Sequence, residues 1–144
     1  MVVLDTNVLS ELMKPEESRS TTVMVWLRNL DSVTIFIPTP ALAELRAGVE
    51  VLPDGARRRS LDEAIERLRA GFGGRILPFG TDAAWVYGQI LGRRKRAGKP
   101  TGDPFDLQIA AIARVAGMAV ATRNVMDFQE CGVEVVDPWT ASSP

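Results

Sequence analysis

The spacing of apolar positions changes along the chain, and each change marks an element. Val2-Val3-Leu4 is a short unbroken apolar run closed by Asp5-Thr6-Asn7, the pattern of a buried strand. Val8, Leu9, Leu12 and Met13 then recur at helical spacing as far as Pro15, with Thr6 or Asn7 as the capping residue. Behind residues 18–22, Val23, Trp26, Leu27 and Leu30 repeat the i, i+3, i+4, i+7 spacing of a second helix. Residues 33–37 are β-branched and aromatic, which predicts a strand. Thr39-Pro40 reads as cap and first helical position of a helix reaching about Glu50, and Pro53-Asp54-Gly55 as a turn. Leu61, Ala64, Ile65 and Leu68 mark another amphipathic helix. Residues 75–79 form a short strand that Pro78 assigns to a sheet edge. From Thr81-Asp82 a helix runs through Trp85, Tyr87 and Leu91 into a basic cluster, and residues 98–102 form a loop. Asp103-Pro104 opens a helix over Leu107, Ala110, Ile112 and Val115 that Gly117 stops, and residues 118–121 and 133–136 are the last strands. Short apolar strands alternating with helices predict an α/β fold: a mostly parallel central sheet of four to five strands flanked by helices.

Length and composition narrow this picture. A chain of 144 residues, 46% hydrophobic and 24% charged, makes one packed domain over 1–144, with no repeat and no low-complexity tract. The single cysteine, Cys131, excludes an internal disulfide and suits a reducing compartment. The chain contains no histidine, which removes Ser-His-Asp and Cys-His nucleophile systems, His-containing zinc sites and imidazole acid–base catalysis. Any catalysis therefore rests on carboxylates, cations and hydroxyls. Carboxylates without His or Cys select hard cations, Mg²⁺ or Mn²⁺, over zinc or copper. No basic start followed by an apolar stretch of roughly 7–15 residues marks a signal peptide. The longest apolar region, 107–121, is interrupted by Gln108, Arg114 and Gly117 and is too short to cross a membrane. The expected setting is cytoplasmic, with no membrane partner.

Charge is unevenly placed. The net charge is −1, yet residues 1–56 carry 4 cations and 8 anions, residues 57–99 carry 11 and 4, and residues 100–144 carry 2 and 6. Five of the cations, Arg93, Arg94, Lys95, Arg96 and Lys99, fall within 93–99 with no acid among them. This exceeds what a helix C-terminus requires of its dipole and suits a polyanion such as RNA, with Arg93, Arg94 and Arg96 as its contacts. Arg57-Arg58-Arg59 reads equally well as a solvated helix face.

Ligands of open α/β sheets gather outside the carboxyl ends of the strands. Asp5 abuts three apolar residues at the end of the first strand, a poor place for an ordinary surface carboxylate. Glu44 and Asp106 fall in the first turns of helices that follow loops, while Asn124 and Asp127 lie just past strand 118–121. Glu44 has small neighbours in Ala41, Ala47 and Gly48; Asp106 shares a face with the apolar Ile109, Ala110 and Ala113. Asp103 has a simpler role as N-cap ahead of a proline. Carboxylates sharing a pocket repel unless a cation neutralises them, and with a hard divalent cation the cluster becomes a hydrolytic centre for phosphodiesters.

At this point the residues resemble a known family. Leu4-Asp5-Thr6-Asn7-Val8-Leu9-Ser10-Glu11-Leu12 looks like the opening of PIN-domain ribonucleases. Leu42-Ala43-Glu44-Leu45-Arg46-Ala47-Gly48 resembles the second acidic motif of that family, and Asp106-Leu107-Gln108-Ile109-Ala110-Ala111 the third. Thr122-Arg123-Asn124-Val125-Met126-Asp127-Phe128, followed by Val135-Val136-Asp137-Pro138-Trp139, resembles its end. The nearest subgroup is the VapC-type toxins of prokaryotic toxin–antitoxin pairs, in their FitB-like branch. The resemblance implies a single PIN domain and a Mg²⁺-dependent endoribonuclease, with Mn²⁺ as a substitute, held inactive by a cognate antitoxin and commonly homodimeric. It implies Asp5, Glu44 and Asp106 as catalytic residues, with Asp5 and Asp106 as metal ligands. Thr6 resembles the hydroxyl that orients the first aspartate. The fourth acidic position departs from the pattern: family members often have Asp where this chain has Asn124, so Asp127 is the alternative.

Two rival readings remain at this level. One is a non-catalytic RNA- or protein-binding module on the same scaffold, against which the retained carboxylates speak. The other is an aspartate-based, Mg²⁺-dependent phosphatase. For that, the chain has Asp5-Thr6-Asn7 rather than Asp-x-Asp, and no lysine lies near 118–124 to grip a phosphate.

Overall fold

Three apolar residues, Val2–Leu4, are buried on both faces and form β1, the centre of the sheet. A computed structural model describes residues 1–141 of the chain. Strand β1 leads into α1 (Thr6–Met13) and, beyond Pro15, into α2 (Thr21–Arg28), capped by the Ser20 hydroxyl on the Val23 N–H. Strand β2 (Ile35–Pro38) feeds directly into α3 (Thr39–Glu50), and α4 spans Ala56–Gly71. Then follow β3 (Ile76–Leu77), α5 (Thr81–Arg96), α6 (Pro104–Ala116), β4 (Ala119–Ala121) and β5 (Val135–Val136).

The elements match the sequence pattern, with shorter strands. Residues 32–34 form a tight helical turn where the strand was expected to begin, because the Asp31 carboxylate accepts the Val33 N–H and the Thr34 hydroxyl donates to the Asp31 carbonyl. Thr39 is the first residue of α3 rather than its cap, and its hydroxyl accepts the Phe79 N–H from the chain after β3. Gly117 ends α6 at φ 68°, a left-handed position that glycine takes without strain.

All five strands are parallel, in the order β3-β2-β1-β4-β5. Strand β3 is an edge, as Pro78 predicts, and Arg75 anchors it: one guanidinium nitrogen donates to the carbonyls of Ser32 (2.6 Å) and Ile35 (2.7 Å). The connection from β1 runs to one side, through β2 to β3, while β4 and β5 lie on the other. The order therefore reverses between β1 and β4, the place where open parallel sheets open a crevice. Helix α6 packs against β1, β4, α3 and α5, and its Leu107, Ile109, Ala110, Ala111, Ile112 and Ala113 are all buried. No helix among the described residues is long and apolar enough to cross a membrane.

Because α6 lies between the sheet and α5, its central side chain carries the packing test. Ile109→Ala should lower stability by about 2–5 kcal/mol, seen as a lower urea midpoint with an unchanged slope.

Candidate active site

The crevice between β1 and β4 is occupied by Asp5. Its backbone N–H donates to the Ala121 carbonyl (2.9 Å), so the ends of the two strands are joined at this residue. The residue is 2% exposed. The expected cap of α1 was Thr6 or Asn7; instead Asp5 is the N-cap, its Oδ1 accepting the Thr6 N–H at 2.7 Å, while Thr6 and Asn7 lie inside the helix. Asp5 thus caps α1 and lines the crevice with the same side chain. Oδ2 accepts the hydroxyl of Thr122 at 2.6 Å.

Glu44 reaches the same crevice from α3. It sits in the second turn of that helix, not the first, because α3 begins at Thr39 with no intervening loop after β2. The Thr6 hydroxyl donates to Glu44 Oε1 at 2.8 Å. This corrects the role that resemblance gave Thr6: its hydroxyl orients Glu44, and only its backbone N–H serves Asp5. The hydroxyl that holds the first aspartate belongs to Thr122, buried at 0% exposure immediately after β4. Thr122 was missed as a functional position, although a signal was present: it follows an apolar strand in the way Asp5 follows β1.

Asp106 enters at the first turn of α6, and Asp103 caps that helix through the Phe105 N–H (2.7 Å). Asn124 and Asp127 come from the exposed loop after β4. Asp5, Glu44, Asp103, Asp106, Asn124 and Asp127 all line one cleft of about 410 Å³. Both candidates for the fourth acidic position therefore face it, and Asp103 adds a further carboxylate to its structural role.

The electrostatics follow from that crowding. Burial raises the Asp5 carboxyl, an effect partly offset by the Thr122 hydroxyl and the Thr6 N–H. Burial likewise raises Glu44, against the hydrogen bond from Thr6. Asp106 is pushed up to about 7, by burial first and then by the charges of Asp5, Asp103, Asp127 and Glu44. Among the described residues no lysine or arginine forms an ion pair with any of these carboxylates. An uncompensated all-oxygen set of this kind suits a hard divalent cation. As they stand, no three of the described acidic side chains are grouped closely enough to hold an ion between them. A Mg²⁺ site asks for only one or two carboxylates, water and substrate phosphate supplying the rest. Asp5 and Asp106 both line the cleft with carboxylates of that kind.

The basic segment divides. Arg94 turns inward from α5: its guanidinium donates to the carbonyls of Gln129 (3.1 Å) and Asp127 (3.3 Å) and lies 3.1 Å from Cys131 Sγ. It fastens the loop that carries Asp127 and so leaves the group of expected RNA contacts. Lys99 pairs with Glu130. Arg93, Lys95 and Arg96 are exposed, with no ion pair among the described residues.

Comparison with known proteins agrees with this geometry. The PIN domain family model matches residues 2–131. Among curated proteins, the chain is 37% identical to VapC ribonuclease Y4jK of Sinorhizobium fredii over 96% of this chain and 98% of that one. It is 37% identical to toxin FitB of Neisseria gonorrhoeae over 96% and 99%. Among solved structures, FitAcB from Neisseria gonorrhoeae superposes with a TM-score of 0.88 at 37% identity, covering 98% of this chain and 100% of that one.

Asp106 ordinarily titrates near 3.8 and in the folded protein near 7. Between those values the folded state holds a proton that the unfolded state has lost, so this group's stabilising effect is complete at low pH and disappears as pH rises. In chelating buffer, Asp106→Asn should therefore gain thermal stability relative to the parent as pH increases from about 4 to about 7, read as a widening difference in Tm. A difference that is constant or narrows over that window contradicts the crowding described here.

Proposed function

The chain belongs to the PIN-domain family, and within it we propose the toxin of a type II toxin–antitoxin pair: an endoribonuclease that hydrolyses RNA phosphodiester bonds at the Asp5–Asp106 cleft. The observation that carries this reading is the meeting of Asp5, Glu44 and Asp106, from three distant segments, in one cleft where no lysine or arginine among the described residues pairs with them. Full-length similarity to toxin FitB and to a VapC ribonuclease supports the same assignment. The substrate class puts its site of action in the cytoplasm.

Asp5 and Asp106 would hold Mg²⁺, with Mn²⁺ as a substitute. Bound there, the ion would supply Lewis-acid chemistry, polarisation of a phosphodiester and a lower pKa for a bound water. The protein's own contribution is positional. Asp5 is locked by Thr122 and Thr6 and cannot swing away. Glu44, held by the Thr6 hydroxyl and made more basic by burial, would take a proton from the attacking water. Asn124 and Asp127 supply further oxygens at the outer lip of the cleft. An acidic cleft repels a polyanion, so RNA must be held elsewhere, and Arg93 and Arg96 at the end of α5 serve that purpose.

A groove of about 640 Å³ leaves the cleft between α1, α3 and α4, sharing Thr6, Ser10 and Glu44 with it and continuing over Met13, Leu45, Val49 and Leu61. An antitoxin segment lying there would cover the catalytic carboxylates, which accounts for inhibition without a change of fold. The active unit is a homodimer, for which the 74%-exposed Trp85 on α5 offers apolar contact surface.

Two experiments test this reading. RNA cleavage should stop in EDTA, return with Mg²⁺ or Mn²⁺, and fall to background in Asp5→Asn and Asp106→Asn; the same substitutions should relieve growth arrest on expression without antitoxin. Cleavage that persists in excess chelator would reject it. Separately, replacing Arg93 and Arg96 by Gln should reduce the log–log salt slope of RNA binding by about 0.7 per lost phosphate contact, with a smaller effect on the maximal rate. Arg94→Gln should loosen the 127–131 loop instead.

A further inference from the structure

We propose that Asn7 is a positioning residue that ties the loop after β4 to the Asp5 carboxylate and fixes the direction of the Thr122 hydroxyl. The proposal rests on Asp5 being the metal-holding aspartate, and it concerns Asn7, to which no part in the site has yet been given.

The assignment follows from counting donors and acceptors. The backbone N–H of Arg123 points at the Asn7 side chain at 3.2 Å. A backbone N–H can only donate, so the atom it meets must be the amide oxygen, and the amide orientation is fixed. The Asn7 nitrogen then faces Thr122 Oγ1 (3.2 Å) and Asp5 Oδ2 (3.3 Å), with one proton for each. Thr122 Oγ1 also accepts the Asn124 N–H at 3.0 Å. Both of its lone pairs are engaged, and at 0% exposure no water can compete. Its own proton has one remaining destination, Asp5 Oδ2 at 2.6 Å. A carboxylate has about four acceptor positions. On Asp5, Thr122, Asn7 and the Thr6 N–H fill three of them and leave one for a ligand.

The same contacts fix the loop. Through Thr122 Oγ1 and the Arg123 N–H, Asn7 holds the first residues beyond β4, and Asn124 is attached to them by its own backbone. Asn7 lies two residues from Asp5 in sequence but 115 from Thr122. One short side chain thus sets the relation between the two halves of the cleft. Without it, Thr122 has an empty lone pair, its hydroxyl can rotate, and Asp5 keeps its place but loses its aim.

The test uses the full chain stripped of metal and titrated with Mn²⁺ by calorimetry. Asn7→Ala and Thr122→Val should each weaken Mn²⁺ binding by about tenfold, the size expected for partners that orient a ligand. The double variant should be little weaker than either single one, because both act through the same contact on Asp5. Thr122→Ser, which keeps the hydroxyl, should bind within about threefold of the parent. Native-state hydrogen exchange gives a second readout: Asn7→Ala should speed exchange of the Arg123 and Asn124 amides, with Val120 as protected as before. Parent-like affinity in Asn7→Ala, or fully additive losses in the double variant, would overturn the proposal. A parent that fails to bind Mn²⁺ would remove the metal reading instead, and unchanged protection at Arg123 would still dispose of the Asn7 lock.

Discussion

A carboxylate with almost no access to water is the constraint on which this molecule turns. Asp5 occupies the junction of the two parallel strands at the middle of the sheet, where burial penalises its charge. The surroundings answer that penalty with donors: a helix N-terminus, a buried hydroxyl and a side-chain amide. What they do not answer is the repulsion between Asp5 and the other acids of the cleft. Burial first, and that repulsion after it, act on Asp106, whose side chain has no hydrogen-bond donor among the described residues, and its carboxyl is pushed up to about 7. The fold thereby stores an unmet demand for positive charge at the site where chemistry is proposed.

Much of this was legible in the sequence because the signals were local. Apolar runs marked the strands, and Pro78 marked the edge that β3 occupies. Asp103-Pro104 and Gly117 bounded α6 as expected. The acidic residues fell where α/β topology brings strand ends together. Less legible was the division of labour among neighbouring polar groups. Nothing in Asp5-Thr6-Asn7 says which side chain caps, which reaches α3 and which crosses to β4. Those choices depend on strands that pair across more than a hundred residues, so a motif read along the chain assigned Thr6 to the wrong carboxylate. Thr122 passed unnoticed for the same reason: its partner lies at the other end of the sequence.

The charge pattern was similarly half readable. A run of cations signals a polyanion only when the side chains are free, and freedom is a property of the fold. Arg75 is committed to carbonyls at the edge of the sheet, Arg58 to Glu50 and Asp54, and Arg94 to the loop below α5. The guanidinium fork that suits phosphate also suits clusters of backbone carbonyls. Counting cations in a segment therefore overestimates the charge presented to a ligand, and the exposed Arg93 and Arg96 describe the surface better than the full cluster does.

The strand order has one more consequence, which concerns the ribosome. The central β1 precedes its partner β4, Ala119–Ala121, by more than a hundred residues. Until that segment emerges, Asp5 has neither the Ala121 carbonyl nor the Thr122 hydroxyl, and α6 with Asp106 has no strand to pack on. In a partly translated chain, therefore, the cleft cannot assemble until β4 and the residue after it have been made. Parallel topology, slow to form because its contacts are remote in sequence, acts here as a delay fuse.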